Sequence, residues 1–277
     1  MCHSFRKIQN VSAGIPAEFR HLWKGVGHAL KGGRQYFIKL WKLSQFDSIG
    51  NFMNRMTGQI IDAGFADRVL TERQLVRIVG GSDDSRYALV KRGLQSGALV
   101  KVRRGRYVLA DKFRSQPVHP FNLAQAFVPG SYVSMESALA FHGWIPEAVY
   151  SVANVTPGRK SIAISHSLFG RFTFHPLAVH RLGFLTGIER HVINDQPMLV
   201  ARPLRALLDL IAFRKLDWKG LGWLTEGLRI DAEHLQTIGP DEFQSLRQVY
   251  MHKAVRAFLD QLEQAIATTD NQRKEAA

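Results

Sequence analysis

The chain has 277 residues, of which 45% are hydrophobic and 22% charged, a composition typical of a globular protein of about two domains. This excludes a disordered or fibrous chain, and no run approaches the ~18 uncharged apolar residues that a transmembrane helix needs. The single cysteine, Cys2, excludes an internal disulfide and any zinc site that requires two thiolates. Because the first residues also lack the apolar core of a secretory signal, we expect a cytoplasmic protein.

The net charge of +14 is unevenly distributed along the chain. Residues 1–55 carry a net charge of +7, residues 56–114 carry +6, and residues 115–277 carry +1. This pattern indicates a module that binds a polyanion, joined to a near-neutral domain with another role. A basic surface kept for solubility is the alternative, but it does not explain why the excess ends near residue 114.

Residues 1–55 form a basic N-terminal extension. Its apolar residues recur at the spacing of one helical stripe, and Gly32-Gly33 interrupts the pattern. Three interpretations stay open: a translation start that really lies at Met53 or Met56, an arm that packs or binds DNA, and an amphipathic helix on a membrane surface. The stripe consists of Phe19, Leu22, Trp23, Val26 and Leu30.

Three helices are predicted between residues 57 and 96. The first is short, and the second begins after a capping Thr71 and ends at Gly80-Gly81. Ser82 or Asp83 can cap the third helix, which we expect to run to about residue 96. Its buried stripe is predicted to consist of Tyr87, Val90 and Leu94.

A β-hairpin is predicted next, because two short β-prone runs, Ala98–Val102 and Tyr107–Leu109, flank a turn that contains glycine. Three helices followed by a hairpin predict a winged helix-turn-helix in residues 56–114. In such a module the third helix enters the major groove of DNA and the hairpin grips phosphates. The predicted DNA-binding residues are Ser85, Arg86 and Arg92 on the third helix, and Lys101, Arg103, Arg104 and Arg106 on the hairpin.

A mixed α/β domain is predicted from residue 115 to residue 266. A helix near 121–127 comes first, then a strand and a helix capped by Ser134, and strands near 149–156, 161–165, 171–175, 191–194 and 198–201 follow. A helix then begins at Pro203, with Leu204, Leu207, Leu208 and Ile211 on one side. The remainder to residue 266 reads as helical, and residues 267–277 as a flexible tail. The predicted fold class is therefore α+β.

The chain resembles the AbiEi-type antitoxins of type IV toxin–antitoxin systems over roughly residues 57–260. The resemblance is carried, in order, by "VRRGRYVLA", "YVSMESALAFHGWIPEAVYSVANVT", "GRFTFHPL" and "RPLRALLDLIAFRK". Its most specific part is "YVSMESALAFHG" followed by "PLRALLDL". Residues 1–55 fall outside it.

The resemblance implies a winged-helix repressor of its own operon, fused to an antitoxin domain that occupies residues 115–266. The implied partners are double-stranded operator DNA and a nucleotidyltransferase-like toxin, countered directly or by indirect antagonism, and we expect no membrane partner. A winged-helix transcriptional regulator whose second domain binds a ligand or dimerises is the alternative.

Enzyme chemistry is not expected from this sequence. His166, His175, His180 and His191 lack the spacing of metal ligands, and no phosphate-binding loop or nucleophile elbow is present. We therefore expect no metal and no cofactor. Helix capping explains Ser134 and Glu136 better than a catalytic triad with His142 does. Asp209 is either a buried or partner-facing acid or a solvated one. A nuclease acting through metal ions would need clustered carboxylates, but Asp195, Asp209, Asp217 and Asp231 fall on different elements.

Overall fold

The structure, a computed structural model, describes residues 55–147 and 150–276, with side chains described as far as residue 269. The interpretations of residues 1–54 therefore lie outside the described residues. The chain divides after Met56, and Thr57–Ala277 form one compact unit. Within this unit helices and strands are mixed, so the α+β fold class is confirmed at this coarse level.

The first part of the unit is built around a small antiparallel sheet. In chain order it contains α1 (55–62), β1 (Leu70–Thr71), α2 (Glu72–Val79), α3 (Asp83–Gln95), β2 (Leu99–Arg103) and β3 (Arg106–Leu109). The strand order is β1-β3-β2, so β3 lies in the middle. A turn of 3₁₀ helix, Asp111–Phe113, leads out of this sheet.

The caps that begin α2 and α3 are the predicted ones. Thr71 and Gln74 form a reciprocal capping box, in which Thr71 Oγ1 accepts from the N–H of Gln74 and Gln74 Oε1 accepts from the N–H of Thr71. The Ser82 hydroxyl accepts from the N–H of Ser85 at 3.4 Å and caps α3. Between the helices, Gly80 has a φ of 68°, a left-handed conformation that glycine adopts without strain.

The second part of the unit is built around a larger mixed sheet. Its strands are β4 (Tyr132–Val133), β5 (Ser151–Val155), β6 (Ile162–His166), β7 (Gly170–His175), β8 (Ile188–Ile193) and β9 (Gln196–Ala201). Their order across the sheet is β6-β7-β5-β4-β9-β8. The pairs β4–β9 and β5–β7 are parallel, whereas β6–β7, β4–β5 and β8–β9 are antiparallel.

Helices surround this larger sheet. They are α4 (Pro120–Phe127), α5 (Met135–Phe141), α6 (Pro203–Arg214), α7 (Ala232–Gln236), α8 (Pro240–Leu246) and α9 (Lys253–Ala276), with a π-helical turn at Trp223–Gly227. Helix α9 continues beyond residue 266, where the sequence predicted a flexible tail. No glycine or proline interrupts residues 253–276, and most of them are good helix formers.

One hydrophobic core runs through both parts of the unit. Val102 and Val108 of the small sheet belong to the same buried cluster as Phe127, Phe172 and Leu208. Residues from both sides of the boundary predicted at residues 114 and 115 therefore contribute to one continuous core.

Candidate functional site

The tip of the β2–β3 hairpin is the two-residue turn Arg104-Gly105. Gly105 has a φ of 69°, which a residue with a side chain adopts only with strain. Arg104 is exposed and Arg106 is half-buried. Because Arg106 pairs across the sheet with Thr71 of β1, the hairpin tip lies beside the first residue of α2.

Arg103 and Lys101 are placed differently, because β2 is held against the second part of the unit. The Arg103 guanidinium donates to the backbone carbonyl of Phe127 at the end of α4. The carbonyl of Lys101 accepts from His166 Nε2 at 3.0 Å. Since His166 Nδ1 accepts from the N–H of Leu168 at 3.2 Å, the ring proton lies on Nε2. Both residues are exposed, but the Arg103 guanidinium also joins two parts of the fold.

The buried side of α3 differs from the predicted one. Tyr87 is 73% exposed, although the sequence placed it in a buried stripe with Val90 and Leu94. Leu89 and Gly93 are the buried residues of this helix, and Val90 and Leu94 are half-buried. The core-facing side of α3 is therefore rotated away from Tyr87.

This rotation separates the three residues of α3 that were predicted to contact DNA. Arg86 lies on the side of Leu89 and Gly93, where its guanidinium pairs with Asp83 and donates to the carbonyl of Gly81. Ser85 is exposed, and its hydroxyl donates to the carbonyl of Ser82 at 2.8 Å. Arg92 is half-buried, and its Nε donates to the carbonyl of Ala88 at 3.2 Å.

The solvent-facing stripe of α3 consists of residues that the sequence analysis did not select. They share spacings of four and three residues, which place them on one helical face. Tyr87 lies at the edge of this face. The sequence alone does not decide whether Tyr87 is buried, because helical periodicity does not show which edge of an apolar stripe another element covers. The stripe consists of Asp84, Ala88, Lys91 and Gln95, all exposed.

An acidic residue from α2 lies next to the hairpin tip. The N–H of Glu72 donates to the carbonyl of Gly105 at 3.1 Å, and Glu72 Oε2 is 3.2 Å from the position that a Cβ on Gly105 would occupy. Burial raises the pKa of Tyr107, and the nearby Glu72 and Tyr87 raise it further. The start of α2 therefore lies against the hairpin tip and places an acidic side chain next to the hairpin arginines.

A second group of polar and charged side chains is buried beneath the larger sheet. The Asp209 carboxylate accepts from Arg205 Nε at 3.0 Å, Ser134 Oγ at 2.7 Å, and the hydroxyls of Tyr250 at 2.7 Å and Tyr132 at 3.1 Å. Arg205 and Asp209 are both fully buried. The predicted capping role of Ser134 is therefore wrong, because the hydroxyl donates to Asp209 and makes no capping bond to α5.

The charged state of this cluster follows from its partners. Burial alone would lower the pKa of Arg205, but Asp209 and the two tyrosines outweigh it and raise the pKa, so the guanidinium stays charged. Burial and the neighbouring Asp209 raise the pKa values of Tyr132 and Tyr250, which therefore stay protonated. Arg205 also donates to the carbonyls of Gly183 and Thr186. This arrangement joins distant segments and keeps the Asp209 carboxylate buried among its donors.

A cavity of about 590 Å³ opens between α5, β5, β7 and the end of α6. At its wall Glu136 forms an ion pair with Arg214, so the role of Glu136 is pairing across two helices. The His175 ring packs against Phe213 with centroids 4.1 Å apart, and burial lowers the pKa of His175 although Glu136 opposes this. Met135, also in the lining, has a φ of 55°, a strained conformation for a residue with a side chain.

Comparison with known proteins adds no identity: no model of a protein family matches the chain, and no curated protein matches it. Within residues 55–147 and 150–276, no group of three or more histidine, cysteine or acidic side chains is arranged to hold a metal ion. Nor does any helix of the described segments combine the length and the apolar character needed to cross a membrane.

Proposed function

We propose that residues 56–114 form a winged helix-turn-helix module that binds duplex DNA, and that the chain is a type IV antitoxin that represses its own operon. The observation that carries the first part is the element order. The module contains, in chain order, a helix, a strand, two capped helices and a hairpin. Its three strands form a sheet of order β1-β3-β2. This is the arrangement that places a helix and a hairpin against DNA together.

The charge of the module supports the same proposal. Residues 56–114 carry twelve basic and six acidic residues. Arg104 and Arg106 lie at the hairpin tip beside the start of α2, and Lys91 is on the exposed stripe of α3. Arginine guanidiniums on a hairpin bind phosphates or enter a narrow minor groove, whereas an exposed helix stripe reads base edges in the major groove. The proposed role requires no catalysis.

The DNA-binding test removes hairpin charges from the full chain. A duplex is first selected by the wild-type protein from a random library, and its affinity is then measured at several salt concentrations. Replacing Arg104 and Arg106 by alanine should reduce the slope of log K against log salt by about two, because each phosphate contact contributes about 0.9. Arg171→Ala/Arg190→Ala, two exposed arginines of the larger sheet, is the matched control and should leave the slope unchanged.

An Arg103 variant tests whether the position of an arginine, and not only the number of positive charges, determines the salt dependence of DNA binding. Its guanidinium is bound to the Phe127 carbonyl, so Arg103→Ala should lower the melting temperature and change the salt slope less than Arg104→Ala does. Equal slopes for wild type and the Arg104/Arg106 variant, with both proteins folded, would remove the hairpin from the interface.

The antitoxin part of the proposal rests on the resemblance of the sequence. It is tested with the neighbouring reading frame, which should encode a nucleotidyltransferase-like toxin whose growth inhibition the full chain relieves. Co-purification of the two proteins distinguishes direct binding from indirect antagonism. If the neighbouring product is not toxic, or toxicity persists in the presence of the folded chain, the antitoxin role is wrong, whatever the DNA result.

The cavity next to Met135 favours a second candidate, a DNA-binding regulator that senses a small molecule. Its volume lies within the 300–1,000 Å³ typical of ligand sites, and its lining combines apolar side chains with the Glu136–Arg214 pair. Opposite charges beside an apolar wall suit a zwitterion such as a hydrophobic amino acid. A thermal shift with L-tryptophan or L-leucine, lost in Glu136→Gln/Arg214→Gln, would support this candidate.

A further inference from the structure

Tyr87 is a large aromatic side chain in a position that core packing does not explain. The sequence pattern predicted that its ring is buried, yet 73% of the residue is exposed. The neighbouring Ala88 is exposed as well, whereas the next residue, Leu89, is buried. The ring is therefore accessible to a molecule that contacts this face of α3.

The ring lies on the exposed side of α3, and α3 itself contacts strand β2 of the hairpin. Ala88 belongs to the solvent-facing stripe of α3, and Tyr87 lies at the edge of that stripe, on the helix that the proposed function places on DNA.

The chemistry of this pair is apolar in a strongly basic module. In the major groove the 5-methyl group of thymine is the apolar feature of the base edges, and it is read by apolar contact. The Ala88 methyl group and the face of the Tyr87 ring offer such contact. The polar neighbours Asp84 and Lys91 on the same helix face can pair with the remaining donors and acceptors.

We infer that Tyr87, together with Ala88, is a specificity-determining residue that reads the 5-methyl group of thymine in the bound duplex. The inference rests on the proposed function, because it assumes that α3 enters the major groove. It assigns recognition to the ring face and not to the hydroxyl. A hydroxyl bound to a phosphate would strengthen binding without distinguishing bases.

The experiment uses the full chain and the duplex that the wild type selects from a random library. Each thymine of that duplex is replaced in turn by uracil, which lacks the 5-methyl group and keeps the Watson–Crick pairing. For wild type we expect at least one position at which uracil weakens binding about fourfold, the value of one buried methyl-sized group. Tyr87→Phe should show the same loss, whereas Tyr87→Ala should lose most of the difference in affinity between the thymine and uracil duplexes.

Controls separate this result from a general defect. Tyr150→Ala, which removes a ring that is 95% exposed in the second part of the unit, should keep the thymine preference. If Tyr87→Phe and Tyr87→Ala lose affinity equally for both duplexes, the hydroxyl binds the backbone and the inference is overturned. The same conclusion follows if wild type does not distinguish uracil from thymine at any position.

Failure of the proposed function has a different signature. If the wild-type chain selects no duplex and binds DNA without dependence on Arg104 and Arg106, the proposed DNA-binding role of residues 56–114 is wrong. Selection of a defined duplex that is insensitive to uracil rejects the role of Tyr87 and leaves DNA binding intact.

Discussion

Asp209 illustrates at the scale of a single residue how burial decides the role of an acid. The sequence left open whether this carboxylate is buried or solvated, and the structure buries it with four donors around it. A buried ion pair is expensive to form, and its desolvation is offset only when hydrogen bonds satisfy the remaining polar atoms. In this cluster the two tyrosine hydroxyls and Ser134 provide those bonds.

We expect Asp209→Asn to destabilise the folded state by about 3–5 kcal/mol, because the charge of Arg205 would remain buried without its counter-charge. Urea unfolding measures the loss. Asp217→Asn, at an exposed aspartate shortly after α6, is the matched control and should change stability by about 0.5 kcal/mol or less. Equal stabilities for the two variants would show that the Arg205–Asp209 pair contributes nothing to folding.

Helix α6 shows, at the scale of an element, that an amphipathic pattern can underestimate how much of a helix is buried. The sequence predicted one apolar side, with Leu204, Leu207, Leu208 and Ile211. In the structure Leu204–Ile211 are all buried, including the Arg205–Asp209 pair on the other side. Contacts with α5 and α9 cover the helix. A helix surrounded in this way is part of the core and not a surface element.

Leu208→Ala is therefore expected to cost about 2–5 kcal/mol, through lost burial and the cavity that remains. Leu182→Ala makes the same chemical change at a residue that is 99% exposed, and we expect it to cost less than about 0.5 kcal/mol. Thermal or urea unfolding of the two full-length variants gives the comparison. A small cost for Leu208→Ala would mean that α6 repacks or lies at a surface.

At the scale of the whole molecule, side-chain contacts join the small sheet to the larger one. Arg103 donates to the Phe127 carbonyl, and the Phe127 ring packs 4.8 Å from Phe172 of the larger sheet. The core that contains Val102 and Val108 continues through these residues. We infer that the proposed DNA-binding module does not unfold independently of the remainder of residues 57–277.

A Phe127→Ala variant tests this coupling. It should cost about 3–5 kcal/mol, and hydrogen exchange should speed up in β2 and β3 as well as in β5 and β7. Phe213→Ala, at a residue that is 41% exposed, serves as the control and should produce a smaller and more local change. Faster exchange confined to the larger sheet would indicate two independent folding units.

At the scale of the whole molecule, three partly buried histidines should lower the stability of the folded state as the pH is lowered from 7.5 to 5.5. Burial lowers the pKa values of His119, His142 and His175, so the folded state binds fewer protons than the unfolded state at and below the ordinary histidine pKa of about 6.5. Stability is therefore retained above this value and lost below it. Melting temperatures across this range should show a shallower slope for His142→Gln/His175→Gln, whereas His252→Gln, at an exposed residue, should follow wild type.

The sequence by itself determined those features that depend on neighbouring residues. The hairpin of β2 and β3, the caps Thr71 and Ser82, and the start of α6 at Pro203 were all predicted, because capping, turn formation and proline geometry act over a few residues. The concentration of positive charge before residue 114, on which the proposed interface depends, is likewise a property of the sequence.

The tertiary structure decided what each side chain does once the elements pack. Ser134 lies at a helix start, yet its hydroxyl donates to Asp209, which is 75 residues away in the chain. Arg103 lies in the hairpin, yet its guanidinium donates to the carbonyl of Phe127. Tyr87 is exposed although its spacing predicted a buried ring, because the packing of α3 decides which side of the helix is covered. Helical periodicity gives the direction of an apolar face to within about one residue, and the element that covers it comes from a distant part of the chain. Long-range packing therefore determines which side of a helix stays exposed and available to a ligand.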